Sequence, residues 1–251
     1  MNIFLANPDL LTLETTVSDV RSMPGEKTAF ATAENIVRPA GGGQPADTAT
    51  VATAAGSYTV GTVSKADGKT WLLVNGPVDS DLLVGARVML NVDSMRRERL
   101  SRCHSLTHLA MAAVKEHIPG YESKGADIAD DATAIELRFL ASAPLTQNLI
   151  NSIDRRTRSL IAQAIPISVE RAKSMLDAEA LYDKWRVDPD LTLSGKIRVI
   201  NIAGIDVNPC SGSHVGSTDA IGPYGIVGHA TDHADINRIF LKRYDCWMYW
   251  L

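Results

Sequence analysis

The stretch MRRERLSRCHSLTHLAMAAVKEHIPG, residues 95–120, marks the point where the chain changes from strands to helices. Apolar residues recur in it at helical spacing, which predicts one long helix, and Pro119 with Gly120 predicts its end. The residues at this spacing are Leu100, Cys103, Thr107, Ala110, Met111 and Val114. His104 and His108 are four positions apart in this helix, so both imidazoles lie on one face and can reach one ion.

The residues before this helix predict a small β domain. Strand-forming runs flank the turn at Met23–Gly25 and the hairpin turn at Ala66–Lys69. The predicted strands are Thr15–Arg21, Thr28–Ala33, Ser57–Val63 and Thr70–Val74, and a turn leading into a further strand is predicted over Asp79–Leu90. We therefore assign residues 1–93 to a small β-barrel-like domain that carries a glycine-rich loop.

The residues after the stretch mix helices and strands without a strict β-α-β alternation. Pro144 predicts the start of a second helix. Its apolar face is formed by Leu145, Leu149, Ile153, Leu160, Ile161 and Ala164. The predicted strands lie around Ile128 and at Ala134–Leu140, Ile167–Glu170, Ile197–Ile202, Ile205–Val207, Tyr224–Val227 and Asn237–Leu241. Residues 94–251 are therefore expected to form a second domain, and the whole chain to be α+β with a largely antiparallel sheet.

Composition places the 251-residue chain among soluble globular proteins, since 45% of its residues are hydrophobic and 22% are charged. It lacks the run of about 20 apolar residues that a membrane span needs, and its start has no basic signal-peptide region. We therefore expect a cytoplasmic protein with no membrane partner. Three scattered cysteines do not make a disulfide framework.

The formal net charge of −4 argues against a general nucleic-acid binder, which is usually basic. Two local clusters of arginine remain as candidate phosphate contacts. They are Arg96, Arg97, Arg99 and Arg102, and Arg155, Arg156 and Arg158. The alternative interpretation is a solvated helix face in each case.

A second pair of candidate metal ligands follows a predicted strand. Cys210 and His214 are again four positions apart, with only small residues between them. Together with His104 and His108 they supply three imidazoles and one thiolate, a set that suits zinc. A site with only a structural role is more often rich in cysteine, so this set favours a centre with a position left for water or substrate.

The loop GGGQPAD, residues 41–47, has the plain interpretation of a flexible turn between strands. It partly fits a dinucleotide-binding fingerprint, but Pro45 and the absence of a following helical pattern argue against that use.

Three motifs in this order resemble the AlaX family of trans-editing proteins and the editing domain of alanyl-tRNA synthetase. They are GGGQPAD at 41–47, RRERLSRCHSLTHLA at 96–110 and CSGSHVGSTDAIG at 210–222. The resemblance extends from about Leu13 to Phe240. It implies that His104, His108, Cys210 and His214 bind Zn²⁺. It also implies that the loop of Gly41, Gly42, Gly43 and Gln44 reaches toward the active site.

The chain departs from the family at positions where the amino acid should lie. Asn35 stands where the family usually has threonine, and Ser123 with Lys124 stands where it often has glutamine and lysine. Ser211-Gly212-Ser213 replaces Gly-Gly-Thr. We therefore expect Asn35, Ser123 and Lys124 to contact the substrate together with the glycine-rich loop.

The resemblance implies a zinc-dependent aminoacyl-tRNA deacylase, an enzyme that hydrolyses the ester of a mischarged tRNA in trans. The expected substrate is serine or glycine on tRNA for alanine, or a threonine-like or modified hydroxy amino acid. The reaction is assigned to a zinc-bound water or a zinc-polarised ester, with no separate catalytic side chain and no ATP. The alternatives are a tRNA- or nucleotide-binding module with a structural zinc, and a metal-dependent hydrolase of small esters.

Overall fold

The computed structural model of the protein describes residues 2–75, 82–141, 144–172, 192–193, 196–232 and 235–244. The chain divides into two compact units. The first comprises Met1–Gly41 and Pro45–Arg97, and the second comprises Gly42–Gln44 and Glu98–Leu251. The expected domain boundary between residues 93 and 94 falls within a few residues of this division and stays a prediction.

The first unit is a closed barrel of six strands. They are β1 (Thr12–Met23), β2 (Lys27–Thr32), β3 (Ala49–Ala52), β4 (Ser57–Ala66), β5 (Lys69–Asn75) and β6 (Arg87–Val92). The strands follow the order β1-β2-β5-β4-β3-β6, and pairing of β6 with β1 closes the barrel. The predicted barrel-like fold is confirmed. The short strand β3 was not predicted, and the start of the predicted turn at Asp79 lies outside the described residues.

Local sequence explains the barrel's hairpin at residues 66–69. Asp67 and Gly68 both have positive φ, 51° and 70°, as a two-residue turn between twisted strands requires. Inside the barrel, apolar side chains of alternate strand positions form one buried core. It includes Val17, Phe30, Val51, Leu72 and Leu90.

The base of the glycine-rich loop is held inside the first unit by buried charges. Arg38 donates to the carbonyl oxygens of Gly41 (2.6 Å) and Pro45 (3.3 Å), on either side of the loop tip. Asp47 accepts from the Arg38 backbone N–H (2.6 Å) and makes a bidentate pair with Arg97 at 2.9 and 2.5 Å. Removing either partner of such a buried pair leaves an uncompensated charge, which costs about 3–5 kcal/mol.

The second unit contains two α-helices, one short 3-10 helix (Thr218–Ile221) and eight strands among its described residues. The α-helices and strands are α1 (Ser94–His117, whose first four residues belong to the first unit), β7 (Glu122–Ile128), β8 (Ala134–Leu140), α2 (Gln147–Ala162), β9 (Ile167–Ala172), β10 (Thr192–Leu193), β11 (Lys196–Ile202), β12 (Asp206–Pro209), β13 (Tyr224–Thr231) and β14 (Ile236–Arg243). One sheet has the order β13-β14-β8-β7, and in the other β11 pairs with β9, β10 and β12. All of these pairs are antiparallel, so the predicted α+β class is confirmed, with two antiparallel sheets in this unit.

Helix α2 begins three residues later than Pro144 suggested. The Thr146 hydroxyl accepts a hydrogen bond from the Leu149 backbone N–H (3.3 Å) and so caps the helix at Gln147. The helix ends at Ala162, and Ala164 has a positive φ of 50°, which excludes it from the helical face.

Helix α1 supplies much of the core of the second unit. Its residues Leu106 and Leu109 are fully buried in one cluster with Phe139 of β8 and Ile200 of β11. Among the described residues, no helix is both long and apolar enough to cross a bilayer.

Candidate metal centre

Helix α1 presents His104 and His108 side by side, as their spacing of four predicts. Their ring centroids are 5.3 Å apart. His104 is 4% exposed and His108 is half-buried, and the neighbouring Leu106 is fully buried in the core of the unit.

Cys210 and His214 lie in the irregular segment that follows β12. Gly212, between them, passes close to the His104 ring. A Cβ atom at Gly212 would lie 2.3 Å from both Cε1 and Nδ1 of His104, which is far closer than van der Waals contact permits. The absence of a side chain at Gly212 therefore lets the segment fold against the helix.

The four side chains converge in the second unit. One ligand atom from each of His104, His108, Cys210 and His214 can be chosen so that all lie within 4.8 Å of one another. The Cys210 Sγ is 3.3 Å from His104 Nε2 and 3.4 Å from His214 Nε2. The structure thus brings together the four residues that the sequence selected as ligands.

Each imidazole of the cluster has an outer partner on its Nδ1. The Nδ1 of His104 is 2.7 Å from Gln44 Oε1, and that of His108 is 2.7 Å from Asp206 Oδ2. The Nδ1 of His214 is 3.1 Å from the Ser105 hydroxyl. Histidine ligands of metals almost always have such a partner, because it fixes the ring and directs the other nitrogen at the ion.

Electrostatics favour ligand forms at two of these positions. Burial raises the pKa of the Cys210 thiol, but the His104 ring and a hydrogen bond from His108 outweigh burial and hold this pKa well below its ordinary value. Burial holds the pKa of His214 well below its ordinary value, so this ring is neutral. A thiolate and a neutral imidazole are the forms that bind metals.

His108 differs from His214. Burial lowers its pKa, but hydrogen bonds to Asp206 and Cys210 outweigh burial and raise the pKa of His108 to about 10. A metal ion that binds this ring below pH 10 must therefore displace a proton.

The donor set fits zinc. Three imidazoles and a thiolate are borderline and soft ligands, and zinc accepts four of them without a strict geometric demand. The outer partners on all three rings add to the fit. The Nε2 atoms of His104 and His214 face the Cys210 sulfur at 3.3 and 3.4 Å.

The tip of the glycine-rich loop, Gly42–Gln44, belongs to the same unit as the cluster. Gly43 has a φ of 74°, and its carbonyl accepts a hydrogen bond from the Ile128 backbone N–H (2.8 Å) at the end of β7. A Cβ at Gly43 would lie 1.9 Å from the Ala126 carbonyl oxygen, so only glycine fits there. A Cβ at Gly42 would lie 3.7 Å from Ser211 Oγ. The loop tip therefore contacts β7 and approaches the segment that carries Cys210.

Ser123 and Lys124, two of the expected substrate contacts, lie in β7 at a break in its register with β8. The Ser123 hydroxyl accepts from the Gly125 backbone N–H (3.2 Å), and Lys124 pairs with Glu122 at 2.5 Å. Such β-bulges are common next to active sites because they redirect side chains. The substrate role of both residues stays a prediction.

Asn35 and Gly41, the other expected substrate contacts outside the loop tip, belong to the first unit. Asn35 is 2% exposed, and its side chain donates to the Val37 carbonyl (2.8 Å) and accepts from the Val37 N–H (3.1 Å). Both ends of this amide thus have a partner within the barrel unit, and a substrate role for Asn35 and Gly41 stays a prediction.

The sequence interpretation missed Asp206 and Ser105 as partners of the ligands. Alternation along β12 places positions 206 and 208 on one side of the strand, but the strand ends at Pro209, so the pattern does not link Asp206 to Cys210. Ser105 likewise has no such signal, and its hydroxyl also accepts from the Val215 N–H (3.2 Å), more than a hundred positions away.

Several arginines of the two basic clusters pair with acidic residues of their own unit. Besides Arg97 with Asp47, these pairs are Arg102 with Glu98, Arg156 with Glu116 and Arg158 with Asp154. Arg97 is only 5% exposed, so it serves the loop base and not a phosphate. The other arginines of the two clusters stay candidate contacts for RNA.

The chain is similar to part of several alanine–tRNA ligases. It is 31% identical to the enzyme of Methanobrevibacter smithii over 197 residues, which cover 77% of this chain and 21% of the ligase. It is 29% identical over 202 residues to that of Methanopyrus kandleri and 30% identical over 220 residues to that of Staphylococcus epidermidis. The chain spans about a fifth to a quarter of the length of these relatives. No model of a known protein family matches it.

Proposed function

We propose that the protein is a zinc-dependent aminoacyl-tRNA deacylase that acts in trans on a mischarged tRNA. The single observation that carries the proposal is the buried cluster of three imidazoles and one thiolate, with an outer partner on each ring. Similarity to alanine–tRNA ligases supports tRNA as the partner. The resemblance of the three motifs to the AlaX family supports ester hydrolysis as the reaction and a cytoplasmic location.

In this proposal His104, His108, Cys210 and His214 hold the zinc ion. Zinc in such a site supplies a Lewis acid that polarises an ester carbonyl or lowers the pKa of water. The aminoacyl ester is already activated, so the protein mainly has to position it and stabilise the developing oxyanion.

The remaining task of the chain is to present the ester. Gly42 brings bare backbone close to the segment that carries Cys210, and Gly43 lies against β7. The N–H groups of both are candidate donors to the ester or to the terminal adenosine. Ser123 and Lys124, at the bulge of β7, are candidate contacts for the amino acid. We keep serine, glycine and a threonine-like or modified hydroxy amino acid as the candidate substrates.

The test is a deacylation panel with the purified chain. We expect hydrolysis of at least one of seryl-, glycyl- and threonyl-tRNA, its loss after metal removal, and its return with Zn²⁺. His108→Ala should abolish most of this activity. His117→Ala is the matched control, because His117 lies in the same helix but bonds the Ala113 carbonyl (2.8 Å).

Each alternative function has its own outcome. Binding of tRNA without hydrolysis of any ester would contradict the proposal and favour a binding module with structural zinc. Equal rates on a free amino acid ester and on aminoacyl-tRNA would contradict it in favour of a small-ester hydrolase.

A further inference from the structure

Gln44, which the sequence assigns to the substrate, has both ends of its amide engaged within the metal centre. Its Oε1 is 2.7 Å from His104 Nδ1 and accepts from the Ser213 backbone N–H (3.1 Å). Its Nε2 donates to the Ser213 hydroxyl (2.9 Å). The residue is 2% exposed, so this amide is a buried polar group with partners on both sides.

The backbone of Ser213 fixes the direction of these hydrogen bonds. A backbone N–H can only donate, so the atom of Gln44 that faces it must be the carbonyl oxygen. That same oxygen faces His104, so Nδ1 of His104 must carry the proton and donate it. In the neutral ring, the Nε2 of His104 then keeps its lone pair, 3.3 Å from the Cys210 sulfur.

The loop delivers Gln44 to this place by backbone contacts of its neighbour. Gly43 is bonded to β7 through the Ile128 N–H and fits against the Ala126 carbonyl only because it lacks a side chain. The contacts of Gly43 with β7 therefore hold the backbone next to Gln44 independently of the metal ligands.

We infer that Gln44 is a positioning residue of the metal centre, which holds the His104 ring and its tautomer so that Nε2 is presented to the ion. Gln44 also bonds Ser213, which lies between Cys210 and His214. One side chain therefore contacts both a ligand of helix α1 and the segment that carries the other two ligands. The inference rests on the metal-binding part of the proposed function and not on ester hydrolysis.

Two substitutions distinguish a positioning role of Gln44 from a role in packing alone. Gln44→Met keeps the approximate size of the side chain but removes the acceptor, and loss of such an outer partner typically lowers metal affinity about 10–100-fold. Gln44→Glu keeps an acceptor for the His104 and Ser213 N–H groups, and the Ser213 hydroxyl can rotate to donate to it. If Gln44 only packed, Gln44→Met would bind Zn²⁺ more tightly than Gln44→Glu, since methionine suits a buried site and an added charge does not.

The experiment measures Zn²⁺ affinity of the full chain by competition with a chromophoric chelator, and the thiolate absorption band of the Co²⁺-loaded protein. We expect Gln44→Met to bind Zn²⁺ about 10–100-fold more weakly and Gln44→Glu to stay within about threefold of wild type. The Co²⁺ band should be retained in Gln44→Glu. Gln163→Met is the matched control, because Gln163 is exposed and its side chain bonds Ser159 at the end of its own helix, away from the metal centre.

Wild-type affinity in Gln44→Met overturns the inference, and so does an equal loss in both variants. Thermal unfolding without metal shows whether each variant folds. If Gln44→Met does not fold, Gln44→Glu tests the inference instead. Weak Zn²⁺ binding by a folded Gln44→Glu also overturns the inference. A wild-type chain that binds no metal overturns the metal site itself and the inference with it. If the wild-type chain binds Zn²⁺ in a way that depends on Gln44 but hydrolyses no aminoacyl-tRNA, only the proposed reaction is overturned.

Discussion

Helix α1 and the segment that follows β12 each supply two side chains to the metal centre, at the same spacing of four residues, but they hold them differently. On the helix, the spacing itself places His104 above His108. In the segment of Cys210 and His214, no regular helix exists, and the geometry depends on Gly212, Ser213 and their contacts. The comparison shows that a shared spacing can have unrelated structural causes. It predicts that zinc binding is more sensitive to substitutions in the irregular segment than to substitutions beside the helical pair.

The largest effect on Zn²⁺ affinity is expected for a substitution of Gly212 in the irregular segment. In Gly212→Ala the new Cβ would overlap the His104 ring at 2.3 Å, so either the ring or the segment must move. We expect a loss of Zn²⁺ affinity of about 100-fold or more, at the upper end of what outer-partner substitutions cost. Chelator competition measures it.

Gly216→Ala is the matched control in the same segment, since a Cβ at Gly216 would meet no atom within 4 Å. Equal Zn²⁺ affinity of the two alanine variants would show that the irregular half is not the sensitive one.

A smaller effect is expected for the helical half, at the partner of His108. Asp206→Asn weakens the acceptor of His108 Nδ1–H, and we expect Zn²⁺ affinity to fall about 10-fold at pH 9. Asp206 also helps to raise the pKa of His108 to about 10, so its loss lowers proton competition at the same time. The penalty should therefore be smaller at pH 7 than at pH 9, which affinity measurements at both pH values check.

The control for this substitution is Asp67→Asn, which removes a carboxylate from an exposed ion pair with Arg21. A penalty for Asp206→Asn that is larger at pH 7 than at pH 9 would contradict the assigned role of the carboxylate.

The sequence predicted the parts of the molecule that depend on local pattern. The long helix with His104 and His108, the hairpin at residues 66–69 and the antiparallel α+β character follow from spacing and turn chemistry. The four candidate ligands were also selected from spacing, and the structure brings them together.

The contacts that orient the ligands could not be predicted in the same way. Gln44 and Ser213 are separated by 169 positions, and Ser105 and His214 by 109, so no periodicity links them. Gln44 was assigned to the substrate because its loop resembles a family motif, whereas its amide bonds His104 and Ser213. Arg97 was grouped with the candidate phosphate contacts by its position in a basic run, although it is buried against Asp47.

The central claim, that the two halves form one metal centre, is tested most directly by elemental analysis of two buried cysteine variants. Cys210→Ala removes the proposed thiolate ligand. Cys103→Ala removes the other buried thiol, which directly precedes His104 in the sequence but donates to the Ala132 carbonyl (3.1 Å). We expect about one zinc per chain in wild type and Cys103→Ala, and a large loss in Cys210→Ala. Full zinc in Cys210→Ala, or equal loss in both variants, would contradict the account.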